Sequence, residues 1–202
     1  PTLTEVKEIA KTGKYDILPV SCEILSDFIT PIEAMRILQN VSTHCYLLES
    51  AQANEAWGRY TFLGYDPKLE INCIDGHMKL GKLSVETDNP SEYIRQILSE
   101  YKSPKFDYLP SFTGGLVGYF SYDYLGYKEK SIRGKAKDTE DFKDVDLMLF
   151  DKVIAFDNLC QKIILIANMP LDAPETGYNK AIVELKQLRE LLMHGEKKQN
   201  MG

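Results

Sequence analysis

Apolar residues recur at helical spacing in four stretches of the chain, and between these they alternate or run in short blocks. The first stretch, Leu3 to Thr12, has a helical period and stops at Gly13. In "TPIEAMRILQN" the start is written out in full: Thr30 caps, Pro31 takes the first helical position and Glu33 closes a capping box. Its apolar face is Ile32, Met35, Ile37 and Leu38. "NPSEYIRQILSEY" repeats this logic with Asn89, Pro90 and Glu92, burying Tyr93, Ile94, Ile97 and Leu98. The last helix carries Tyr178, Ala181, Ile182, Leu185, Leu188 and Leu192 on one side.

Strand patterns fill the intervals. "YDILPVSCEI" reads as a strand, and Pro19 places it at a sheet edge or a bulge. "CYLLES" and "WGRYTFLG" form a hairpin. "KLEINCI", the Asp75-Gly76 turn, "HMKL" and "KLSVE" follow as short antiparallel strands. "VDLMLFDKVIAFDN" and "KIILIAN" read as two strands joined around Asp157-Asn158. Strands this short, with tight turns and no regular strand–helix–strand series, predict an α+β fold with antiparallel sheets.

Composition narrows the function classes. In 202 residues, 44% are hydrophobic and 27% charged, an ordinary balance for one globular domain. The net charge of −6 argues against nucleic acid and anionic membranes as partners. The longest apolar stretch is broken by Asp157, Gln161 and Lys162, so none spans a membrane. Cys22, Cys45, Cys73 and Cys160 lie far apart, and His44, His77 and His194 have no ligand spacing. Free thiols, buried or half-buried in a reducing cytoplasm, are expected, and no bound metal.

No catalytic constellation stands out. Thr113-Gly114-Gly115 and Gly118 lack the Lys-Ser/Thr of a phosphate loop and read as glycines of a bulged, crowded strand. The hairpin is the one odd feature. Its first strand ends on Glu49-Ser50, and its second opens on Trp57-Gly58-Arg59-Tyr60. On the residues alone, Glu49 and Arg59 form a cross-strand ion pair, Ser50 begins a turn and Trp57 packs over the hairpin loop.

"CYLLES", "WGRYTFLGYDP", "FTGGLVGYFSYD" and "FDKVIAFDNLCQKIILIAN", in that order, resemble the N-terminal part of the anthranilate synthase component I family of chorismate-utilising enzymes. The resemblance implies two antiparallel sheets packed orthogonally with helices outside. It implies an N-terminal domain over residues 1–195 and a polar tail, 196–202, after which a catalytic C-terminal part would follow. It further implies a cytoplasmic enzyme of tryptophan biosynthesis that converts chorismate and glutamine-derived ammonia to anthranilate and pyruvate. It implies magnesium for the full-length enzyme and a glutamine amidotransferase, component II, as the source of the ammonia. No catalytic residue, metal or cofactor is expected in this stretch itself.

The same resemblance gives the hairpin a second reading, as part of the site where tryptophan inhibits the enzyme, with Glu49, Ser50, Arg59 and Tyr60 as the contact residues. Asn89 to Tyr93 is close in wording to another effector segment of the family, but its Glu92 reads as the capping residue of a helix start. Two alternatives stay open: the same part of aminodeoxychorismate synthase component I, and a stand-alone amino-acid-binding module.

Overall fold

A computed structural model describes residues 1–50, 58–122 and 142–196, leaving side chains at 119–122 and 142–144 aside. Trp57, most of the charged stretch after Tyr122 and the tail beyond Glu196 lie outside the described residues. The chain divides into two compact units, Pro1–Asp66 with Lys102–Gly114 and Phe150–Gly202, and Pro67–Tyr101 with Gly115–Leu149.

The first unit holds three helices, α1 (Leu3–Lys11), α2 (Pro31–Val41) and the long C-terminal helix Pro174–His194. Its five-stranded sheet is built from β1 (Ile17–Leu25), β2 (Cys45–Glu49), β3 (Tyr60–Tyr65), and two strands near the C-terminus, Lys152–Asp157 and Lys162–Pro170. The second unit has β4 (Leu69–Ile74), β5 (His77–Leu80), β6 (Leu83–Glu86), α3 (Pro90–Ser99), β7 (Gly115–Tyr122) and β8 (Phe142–Phe150). The two C-terminal strands are then β9 and β10, and the last helix is α4. The sheet orders are β1-β10-β9-β3-β2 and β6-β5-β4-β8-β7. The described pairings are antiparallel, and the fold class is α+β.

Local chemistry explains most of these elements. Thr30 Oγ1 accepts from the Glu33 N–H at 3.2 Å, and Glu33 Oε1 accepts from the Thr30 N–H at 3.3 Å, so the expected capping box is formed. The second expected box is not. Pro90 does open α3, but the Asn89 side chain caps no main-chain N–H; its Oδ1 instead accepts from Ser91 Oγ at 2.7 Å. The side-chain hydroxyl reaches the Asn oxygen first, so the N–H groups of the first turn are left to the main chain. The Asp75-Gly76 turn has both residues at positive φ, 48° and 81°, the geometry of a tight two-residue hairpin. Pro19 lies on an edge strand, where a missing N–H costs no ladder bond.

Three expectations are corrected. The run "VDLMLFDKVIAFDN" is not one strand: it breaks at Asp151, and its halves β8 and β9 belong to different sheets. At the break, the Asp151 carbonyl accepts from both the main-chain N–H and the Nδ2 of Asn168, each at 2.9 Å. Ile32 and Leu98, expected on buried helix faces, are exposed, and the buried face of α2 is Ala34, Ile37 and Leu38. Cys160 is exposed in the β9–β10 turn, whereas Cys73 is fully buried; all four cysteines are free thiols.

Cross-strand register assigns each residue of the first sheet to a face. Leu63, Ile154, Phe156, Ile163, Leu165 and Ala167 share one face and form the core with Ala34, Ile37, Ala181, Leu185 and Leu188 of α2 and α4. The opposite face carries Phe62, Ala155 and Ile164 in one cross-strand row. Those residues are buried as well, so the sheet is apolar on both sides. In the second unit, Ile71, Cys73, Met78, Val145 and Leu147 pack with Ile94 of α3.

Gly114 and Gly118 occur where a side chain has no room. A Cβ on Gly118 would lie on the Asp146 carbonyl, and one on Gly114 would come within 2.7 Å of Asn168 Nδ2 and 3.0 Å of the Phe150 carbonyl. Both have φ values, 152° and 142°, that L side chains rarely adopt. The crowded-strand reading of this segment holds.

Candidate functional site

The hairpin is anchored by its own ladder. Leu48 pairs with Phe62 and Glu49 with Thr61, and the Ser50 N–H donates to the Tyr60 carbonyl at 2.9 Å. Because alternate residues of a strand face opposite ways, Ser50 shares a face with Tyr46, Tyr60 and Phe62. Glu49 lies on the other face, with Thr61 and Leu63, and is exposed. Glu49 and Ser50, neighbours in sequence, are therefore not brought together.

Ser50, Arg59 and Tyr60 do share one corner. Ser50 is only 4% exposed, and among the described residues its hydroxyl has no hydrogen-bond partner. Tyr60 is 7% exposed and stacks on Phe62, with ring centroids 5.7 Å apart. Phe62 meets Phe112 edge-on at 5.2 Å, and Phe112 in turn meets Tyr46 at 6.2 Å. Tyr46 also sets its ring edge-on to Phe150 at 4.7 Å, and its buried hydroxyl likewise has no partner among the described residues. The result is an aromatic row ending in a buried, unpaired serine hydroxyl.

Arg59 does not pair with Glu49. Its guanidinium lies 4.9 Å over the Tyr60 ring, and its Nε and Nη2 donate to Asp157 Oδ1 and Oδ2 at 3.4 and 3.2 Å. Asp157, with 1% of its side chain exposed, also accepts from the main-chain N–H groups of Leu159 and Cys160, both at 3.1 Å. Burial by itself would push its pKa up. The hydrogen bonds from Arg59 and the Cys160 N–H outweigh that and hold the carboxyl below the usual aspartate range.

Sequence reasoning missed Asp157 as a partner and read it as a turn residue. It is 98 positions from Arg59, and no local pattern joins them. The signal that was present is a carboxylate closing the apolar run "VIAFD", a place where an acid is buried unless it turns outward. Asn158 was read as a turn residue too. Its Nδ2 donates to the Gly58 carbonyl at 2.9 Å, and its N–H to the Arg59 carbonyl at 2.7 Å, tying the same turn to the hairpin.

Chemically, the corner offers one free buried hydroxyl, an aromatic wall and a cation whose charge is already compensated. It has the materials to hold a small amphipathic ligand and, among the described residues, no nucleophile–base pair. Among the described residues no cluster of three or more His, Cys, Asp or Glu is placed to hold a metal, and no helix is long and apolar enough to cross a membrane.

No family model matches the chain. Curated relatives do. Anthranilate synthase component 1 of Acetivibrio thermocellus is 34% identical over 198 residues, 95% of this chain and 39% of that protein. That of Pseudomonas aeruginosa is 34% identical over 196 residues, 93% of this chain and 39% of its own length. The crystal structure of anthranilate synthase component I from Streptococcus pneumoniae covers 82% of this chain and 36% of that one, at 22% identity and a TM-score of 0.41. The chain spans about two fifths of the curated relatives it matches, 39% in both of these. Within that span, the chain belongs to the anthranilate synthase component 1 family.

Proposed function

We propose that this chain is the N-terminal, effector-binding part of an anthranilate synthase component I, and that tryptophan binds at the Ser50–Tyr60 corner. The whole protein, in this reading, converts chorismate and ammonia to anthranilate and pyruvate in the cytoplasm. It uses magnesium, its own C-terminal catalytic part and a glutamine amidotransferase partner. The observation that carries the effector site is the Ser50 hydroxyl, buried and, among the described residues, without a partner at the end of an aromatic row. Leaving such a group unpaired costs on the order of 1–3 kcal/mol, which a ligand's polar end would recover.

A zwitterionic amino acid needs a donor for its carboxylate, an acceptor for its ammonium and an apolar slot for its ring. Ser50 supplies the donor, and Tyr60 with Phe62 supplies an apolar wall. Glu49 is the acidic residue beside this strand end. From the opposite face it would reach an ammonium only around the edge of β2, which is the outermost strand of its sheet among the described residues.

The test is inhibition in the longer protein. Ser50→Ala is expected to weaken inhibition by tryptophan about tenfold and to leave uninhibited turnover unchanged, since coupling between sites is typically worth about 1–3 kcal/mol. Inhibition curves that overlay the parent would reject the effector site.

A further inference from the structure

Asp157 joins two parts of the chain that no sequence pattern connects. From the hairpin it accepts both Arg59 donors, and from its own turn the N–H groups of Leu159 and Cys160. A carboxylate buried this far stays charged only when it is paired, and here the pairing uses both of its oxygens. The pairing also fixes the guanidinium, which lies over the Tyr60 ring and does not extend as a free donor.

We infer that Asp157 is a positioning residue of the effector site: it takes up the charge of Arg59, holds the guanidinium against Tyr60, and so fixes the strand end on which Ser50 pairs. This inference rests on the effector reading above. It assigns Arg59 to the wall of the site and leaves the recognition of the ligand's carboxylate to Ser50. Asn158 acts in the same direction through the Gly58 and Arg59 carbonyls, so the β9–β10 turn holds the returning strand at two consecutive residues.

The experiment titrates the chain with L-tryptophan and follows the amide shifts of residues 47–50 and 58–62. Asp157→Asn keeps an oxygen for the Leu159 and Cys160 N–H groups but turns an amide NH₂ toward Arg59. It is expected to raise the dissociation constant about tenfold, while the amide shifts of the second unit stay unchanged. Arg59→Gln is expected to do the same, and it serves alone if Asp157→Asn does not fold. The double variant should bind no more weakly than either single one, because both remove the same contact.

A folded Asp157→Asn or Arg59→Gln chain that binds like the parent overturns the inference and leaves the effector reading in place. Additive losses in the double variant overturn it too, because they would make Arg59 a ligand contact in its own right. No tryptophan-dependent shift at residues 47–50 and 58–62 of the parent chain overturns both.

Discussion

Tyr46 shows what a single buried polar atom does in this sheet. Its ring is held by Phe150 and Phe112 and lies against Gly64, where a Cβ would collide with it. Burial pushes its phenol pKa up, and the hydroxyl finds no acceptor. Tyr46→Phe keeps the packing and removes the unpaired group, so urea unfolding should show unchanged stability or a gain of up to about 1 kcal/mol. A loss of more than that would reveal a partner for the hydroxyl. Asp157 is the opposite case, a buried group with every oxygen paired. Its folded pKa is depressed, so its contribution is complete above the unfolded value of about 3.9 and is lost as pH falls through the folded one. Between about pH 5 and 7 Asp157 therefore adds no slope to stability. Below about pH 4 it does, and Asp157→Asn should flatten that acid limb in pH-dependent urea melts.

The two proline-led helix starts look alike in sequence and differ in what the cap does. At α2, Thr30 and Glu33 exchange hydrogen bonds, whereas at α3 the Asn89 side chain is taken by Ser91. Thr30→Ala should cost about 1 kcal/mol in urea unfolding. Glu92→Ala should cost only the few tenths expected for a charge near an exposed helix N-terminus. Equal costs would mean that the second box closes in solution. This contrast marks how far elements were legible in the sequence. Helices, the Asp75-Gly76 turn and the edge position of β1 follow from local residue chemistry and were readable. The break at Asp151 was not, because strand-like apolar runs lie on both sides of Asp151-Lys152 and the sheet change is set by tertiary pairing. The Arg59–Asp157 pair was illegible for the same reason, although both residues could be named. Ser50 was named as a site residue by the family resemblance alone, and its separation from Glu49 needed the register.

For the molecule as a whole, the pairing pattern sets how tightly this chain alone would hold tryptophan at the proposed corner. Burying an indole removes about 150–250 Å² from water, worth about 4–6 kcal/mol. The Ser50 hydroxyl adds about 1 kcal/mol as a newly made hydrogen bond. Arg59 adds little, because its charge is committed to Asp157. Glu49 lies on the far face of β2, and Asp157, which shares the face of Ser50 and Tyr60, is committed to Arg59, so among the described residues the ammonium finds no uncommitted carboxylate on that face. Ordering the ligand and the side chains around it costs several kcal/mol more. What remains is about 4 kcal/mol or less, a dissociation constant of about 1 mM or weaker, where micromolar binding needs about 8 kcal/mol. Titration calorimetry or amide shift mapping of the 202-residue chain should therefore find millimolar or weaker binding. Curated relatives are about two and a half times as long, since the chain spans 39% of them, and a longer protein has further residues to complete the polar contacts. Micromolar binding by this chain would place all of those contacts within its 202 residues and would require Arg59 or Glu49 to leave its present position for the ligand.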